Sequence, residues 1–144
     1  MGGSRERVRV LHVDDEADIL EVTGRLVEAH QERTVVESVG SVDDALDRLD
    51  DADCLVADYV MPGADGVTFL SCVRDERPDL PVVFFTGRDA DEIDESVLGD
   101  DLTAHVQKGV SPEQYTILAQ YVVDLADEAQ GTPPTMGLEG SSAE

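Results

Sequence analysis

Asp14, Asp15, Asp58, Thr86 and Lys108 are the residues of this 144-residue chain whose types and spacing offer chemistry. Each stands at or just beyond the end of a short apolar run, and Lys108 is the only lysine. Three carboxylates against one ammonium leave two net negative charges. Like charges held close together force one carboxyl to stay protonated unless a cation binds. Hard oxygen donors, few in number and with room for water and phosphate oxygens, suit Mg²⁺ better than zinc. A carboxylate beside Mg²⁺, flanked by a hydroxyl and a lysine point charge, can accept a phosphoryl group, because positioning and charge neutralisation dominate that chemistry. An Asp-Asp pair alone means little here. The chain has four (14–15, 43–44, 50–51, 100–101), and only the first follows directly on a core strand.

The elements that must position these residues alternate short apolar runs with helical periodicity. Val8 to Val13 reads as a strand buried on both faces, and Thr34 to Val39, Cys54 to Ala57, Val82 to Phe85 and His105 to Gln107 read as four further strands. Ile19, Val22, Thr23, Leu26, Val27 and Ala29 form the apolar stripe of a first helix. Ser41 opens a second helix carrying Val42, Ala45, Leu46 and Leu49, with Asp44 placed as in a capping box. A loop holding Pro62, Gly63 and Gly66 leads to a third helix with Val67, Leu70 and Val73, which must end before Pro78. Residues 89–98 make a weak helix with little beyond Ile93 and Val97 to bury. Ser111, Pro112 and Gln114 start the last helix, with Leu118, Tyr121, Val122, Leu125 and Ala129 on one face. Five βα repeats give an α/β fold: a five-stranded parallel sheet, doubly wound, with helices on both faces. Ligands of such sheets sit outside the carboxyl ends of the strands, where the five residues gather.

Composition narrows the partners. With 33 acidic and 10 basic residues the net charge is −23, which excludes nucleic acid and anionic membrane as direct partners. Twenty aspartates and thirteen glutamates repel one another at low ionic strength, and about 1 M salt screens that repulsion to roughly 3 Å. The near absence of lysine points the same way, to a salt-rich cytoplasm. No stretch reaches the roughly 18 apolar residues of a membrane span, and residues 1–7 lack the apolar core expected of a signal peptide. Cys54 and Cys72, each in an apolar run, read as core residues in a reducing cytosol. His12 and His30 read as structural. Residues 1–5 read as a disordered N-terminus, 6–130 as one domain, and 131–144, rich in Pro, Gly, Ser and Thr, as disordered tail or linker.

The residues Val13-Asp14-Asp15-Glu16, Asp58 to Gly66 (DYVMPGADG), Phe85-Thr86-Gly87 and Lys108 resemble the receiver domain of two-component response regulators across roughly residues 6–129. The resemblance implies a flavodoxin-like sheet of strand order 2-1-3-4-5. It makes Asp58 the phosphoacceptor, taking a phosphoryl group from the histidine of a sensor histidine kinase. It makes Asp15, Asp58 and the backbone carbonyl of Val60 ligands of Mg²⁺, with Asp14 supporting the ion through water. Thr86 and Lys108 contact the phosphoryl oxygens. The output face is that of helix four, strand five and helix five, a candidate homodimer interface, switched by Thr86 and the strand-five position held here by His105. Such a module signals through a downstream or covalently linked domain, and catalyses at most its own phosphorylation and dephosphorylation. The segment Gln107 to Tyr115 is similar to receivers of halophilic archaea.

Three positions depart from the family pattern. Gly109 stands where Pro usually follows the lysine, His105 where Tyr or Phe is usual, and Asp101 where a small residue is usual. A haloacid-dehalogenase-like phosphatase needs a second Asp two residues after its nucleophile, and that position is Val60. A nucleotide-binding module needs glycines after strand one, where Asp14-Asp15-Glu16 stand. The remaining alternative is a receiver-shaped scaffold that binds partners without phosphorylation.

Overall fold

In the computed structural model the described residues are 7–61, 64–87, 90–100, 102–108 and 113–129. The expected features at Pro62, Gly63, Asp101, Gly109, Ser111 and Pro112, and at both termini, lie outside them. Five strands form one sheet: β1 Val8–Val13, β2 Thr34–Val39, β3 Cys54–Ala57, β4 Val82–Thr86 and β5 Thr103–Gln107. All neighbours are parallel and the order is 2-1-3-4-5. A separate hairpin pairs Val60–Met61 with Ala64–Asp65.

The central strands β3 and β4 are buried along their whole length, which explains why they read as unbroken apolar runs. Alternate side chains serve opposite cores. Leu11, Val13, Leu55, Ala57, Val82 and Phe84 meet α2 (Val42–Leu46), α3 (Gly66–Glu76) and α4 (Glu95–Leu98). Val8, Val10, Val56, Val83, Phe85 and Val106 meet α1 (Ala17–His30) and α5 (Glu113–Ala129).

Several elements differ from the sequence reading. Ser41 caps α2 by accepting the Asp44 N–H at 3.2 Å, but the helix stops at Leu46. A 3₁₀ turn over Leu49–Asp51 then drives Leu49 into the core. The helix expected over 89–98 is a 3₁₀ turn, Ala90–Glu92, followed by the four-residue α4, because Ile93 and Val97 alone supply apolar anchorage. Gly66 belongs to α3 rather than to the loop, and Asp65 caps that helix by accepting the Thr68 N–H at 2.9 Å. On α5 the buried stripe is Leu118, Ala119, Val122, Val123 and Ala126, while Tyr121 is exposed. The buried stripe follows 118, 122 and 126 with 119 and 123 beside them, and Tyr121 falls outside that phase. Val22 and Val67 are likewise exposed. Cys54 lies in the core as expected, its thiol pushed up to about 12 by burial, but Cys72 is on the exposed side of α3.

Arginines staple the ends of elements. Arg74 of α3 pairs with Asp100 at 2.7 Å and donates to the Leu80 carbonyl at 2.6 Å. Arg33 makes a two-pronged pair with Asp127 at 3.0 and 3.2 Å, joining the start of β2 to the end of α5. No helix among the described residues is long and apolar enough to cross a membrane.

Candidate functional site

Asp14 follows β1, Asp58 follows β3, Thr86 ends β4 and Lys108 follows β5, so the topology delivers all four to one rim. Backbone hydrogen bonds extend the sheet to set their height: Asp58 N–H donates to the Val13 carbonyl at 3.4 Å, and Lys108 N–H to the Thr86 carbonyl at 2.7 Å. The Lys108 ammonium bridges two carboxylates, reaching Asp14 Oδ2 at 2.8 Å and Asp58 Oδ2 at 3.1 Å. Asp14 is 1% exposed, and its other oxygen accepts the Glu16 N–H at 2.9 Å at the start of α1. Asp58 retains 19% side-chain exposure, and its Oδ1 accepts the Val60 N–H at 3.4 Å. Asp58 is thus the carboxylate of this pair that solvent, and hence a reactant, can reach.

Burial by itself would lower Lys108, but hydrogen bonds and charge from Asp14 and Asp58 outweigh it and hold the ammonium above its ordinary value. The same ammonium lies 5.7 Å from the centre of the Phe85 ring, which stands edge-on to Tyr115 of α5. Thr86 is buried at the end of β4, its carbonyl holding the Lys108 N–H, and His105 of β5 pairs with Phe84 across the sheet, partly buried. Asp15 is exposed at the rim, and Val60 is exposed in the hairpin. The structure therefore brings Asp14, Asp58 and Lys108 into contact, with Thr86 adjoining and Asp15 outside. Among the described residues no group of three or more His, Cys, Asp or Glu is poised to hold a metal.

His12, on the β1 strand leading to Asp14, is 1% exposed, and neither ring nitrogen finds a hydrogen-bond partner among the described residues. Burial pushes the imidazole down to about 4, against the pull of Asp14 and, more weakly, Asp58. Because the folded value lies below the unfolded one, the unfolded chain takes up the proton first, and stability is lost as pH falls from about 6.5 toward about 4. By pH 5 the loss from this group should reach about 2 kcal/mol. Urea unfolding of wild type and His12→Leu checks this: the variant should lack that loss, and parallel pH curves would contradict it.

Sequence reasoning overlooked Tyr59, whose hydroxyl accepts the Asp94 N–H at 3.1 Å. Gly66 leaves room for its ring, since a Cβ there would lie 2.2 Å from it, but the bond to Asp94 has no local signal.

Residues 10–120 match the response regulator receiver domain, and the chain belongs to that family. Over 81 residues, 55% of this chain, it is 35% identical to protein-glutamate methylesterase/protein-glutamine glutaminase 3 of Rhodopseudomonas palustris (strain BisB18), and the match spans 22% of that relative. The CheY-like receiver domain protein of Methanospirillum hungatei JF-1 superposes with a TM-score of 0.72 at 23% identity, covering 88% of this chain and 98% of that one. The response regulator TrrA of Thermotoga maritima, solved in complex with Mg²⁺-BeF, gives 0.66 at 22% identity over 80% of this chain and 98% of that one. TrrA has also been solved in complex with the histidine kinase ThkA. The chain is a receiver domain, a signalling module of two-component systems.

Proposed function

We propose that Asp58 accepts a phosphoryl group from the phosphohistidine of a sensor histidine kinase, in a Mg²⁺-dependent transfer that switches protein–protein contacts. The observation that carries this reading is the Lys108 ammonium bridging a buried Asp14 and a reachable Asp58. An oxygen of Asp58 forms the new bond to phosphorus as the P–N bond breaks, and the imidazole leaves with the electron pair. Lys108 offsets the charge gathering on the phosphoryl oxygens, and Thr86, at the end of the neighbouring strand, would supply a hydroxyl donor to them. Asp14 stays engaged with Lys108 and the Glu16 N–H, holding the ammonium in place.

The donor set fits Mg²⁺. The Asp14–Lys108–Asp58 group retains one net negative charge, exposed Asp15 adds a second, and all available donors are hard oxygens. Asp15, Asp58 and the Val60 carbonyl would hold the ion, with Asp14 acting through water. Bound there, Mg²⁺ would neutralise phosphoryl oxygens and leave coordination positions for them. The co-crystallised Mg²⁺-BeF of TrrA and its kinase complex support both partners for this chain. Contacts to a downstream or linked signalling domain, or to a second copy, would run through α4, β5 and α5.

Intact-mass analysis after acetyl phosphate treatment tests the reading. One phosphoryl group should add in the presence of Mg²⁺ and almost none in chelator, and Asp15→Ala should label at the chelator level. Equal labelling with and without Mg²⁺ would contradict it; no labelling at all would favour a phosphorylation-independent scaffold.

The charge supports a salt-rich cytoplasm as the setting. Ten basic residues face 33 acidic ones, and among the described residues Arg25, Arg33, Arg48, Arg74, Arg77 and Lys108 are already engaged in ion pairs, so a large negative excess remains. The melting temperature should therefore climb between about 0.1 M and about 3 M KCl as repulsion is screened. A flat profile would contradict the setting.

A further inference from the structure

Tyr59 follows Asp58 directly in the chain and is fixed at three points. Its ring stands edge-on to Phe84 of β4, with centroids 5.5 Å apart and planes at 82°. The same ring covers Gly66 at the start of α3, where a Cβ would meet Cδ1 at 2.2 Å and Cε1 at 2.4 Å. Its hydroxyl accepts the backbone N–H of Asp94 at 3.1 Å. Asp94 is the N-cap of α4, its Oδ1 accepting the Ser96 N–H at 2.9 Å and the Ser96 hydroxyl at 2.6 Å.

What lies beyond that hydrogen bond is weakly held. The four residues of α4 cannot persist as a helix by propensity, since isolated helices shorter than about 12 residues are marginal in water. Its anchors are the Asp94 cap, Ile93 and Val97, and these two side chains share one apolar cluster with Tyr59. Phe84 and Gly66 restrict the ring, so a shift of the backbone at 58–60 moves the hydroxyl instead of being absorbed by ring rotation. The acceptor that Asp94 relies on then moves away from it.

We propose that Tyr59 straps the Asp58 loop to α4, so that a change at Asp58 passes through the Tyr59 hydroxyl to the Asp94 cap and sets how firmly α4 is held. The strap rests on the reading of Asp58 as phosphoacceptor. It is a separate connection from the one through Thr86 and His105, which runs across β4 and β5. Tyr59 is a positioning residue.

Tyr59→Phe keeps the ring and removes the hydroxyl. Hydrogen exchange of the full chain, wild type and variant, before and after acetyl phosphate with Mg²⁺, reads the effect on residues 94–99. Before labelling, these amides should exchange about five- to tenfold faster in Tyr59→Phe, the loss of one partly buried hydrogen bond. After labelling, the phosphorylation-dependent change in 94–99 should shrink to below about half that of wild type, with uptake at Asp58 within about twofold. A wild-type result in either exchange measurement overturns the strap. If wild type itself takes no label, the reading of Asp58 fails, and the unlabelled comparison alone decides the strap: unchanged exchange in Tyr59→Phe overturns it, and faster exchange supports it.

Discussion

Replacing Lys108 with methionine should destabilise the fold by about 3 kcal/mol at neutral pH, the low end for breaking a buried ion pair. The low end applies because Lys108 and Asp58 each keep 19% side-chain exposure. Asp14 cannot escape in this way, since it is 1% exposed and Lys108 is its side-chain counter-ion. Without the ammonium, the buried carboxylate is left with no side-chain cation beside it, and that uncompensated charge is the source of the deficit. Urea unfolding of wild type and Lys108→Met at neutral pH measures the deficit. A Lys108→Met protein as stable as wild type at pH 7 would mean that Asp14 is hydrated or paired in another way.

The second large effect lies at Gly66. Alanine there places a Cβ 2.2 Å from the Tyr59 ring, well inside any real contact, and the ring is held by Phe84 and Asp94. Overpacking of this kind costs about 1–3 kcal/mol, and the rigid surroundings argue for the upper end. The cause can be isolated with a double-mutant cycle. Gly66→Ala should cost nothing, or stabilise by up to about 1 kcal/mol, in a Tyr59→Ala background, because the clash is gone and only helix propensity, which favours alanine, remains. Equal costs in both backgrounds would place the strain elsewhere.

These two sites show what the residues alone disclose. The ends of five apolar runs mark Asp14, Asp58, Thr86 and Lys108, and the sheet brings them to one rim because parallel strands share a carboxyl end. The order of the strands came from the family resemblance, since periodicity does not rank neighbours. That Lys108 would bridge Asp14 and Asp58, leaving Asp15 exposed, is a matter of side-chain reach after folding. The Tyr59–Asp94 link joins residues 35 apart and has no local signature. Helix ends were less legible than helix starts: Ser41 announces α2, whereas its stop depends on how Leu49 packs. Tyr121 and Cys72 were placed inside by counting apolar types, but Ala119 and Ala126 take the sheet-facing positions on α5, and Cys72 falls on the outer side of α3.

The central claim is that the phosphoryl group resides on Asp58, and chemical trapping tests it most directly. Borohydride reduces an aspartyl phosphate to homoserine, and peptide mass analysis then locates the modified position in a chain with twenty aspartates. After acetyl phosphate and Mg²⁺, homoserine should be found at position 58 and vanish in Asp58→Asn. Homoserine at another aspartate, or label that persists undiminished in Asp58→Asn, would contradict the account.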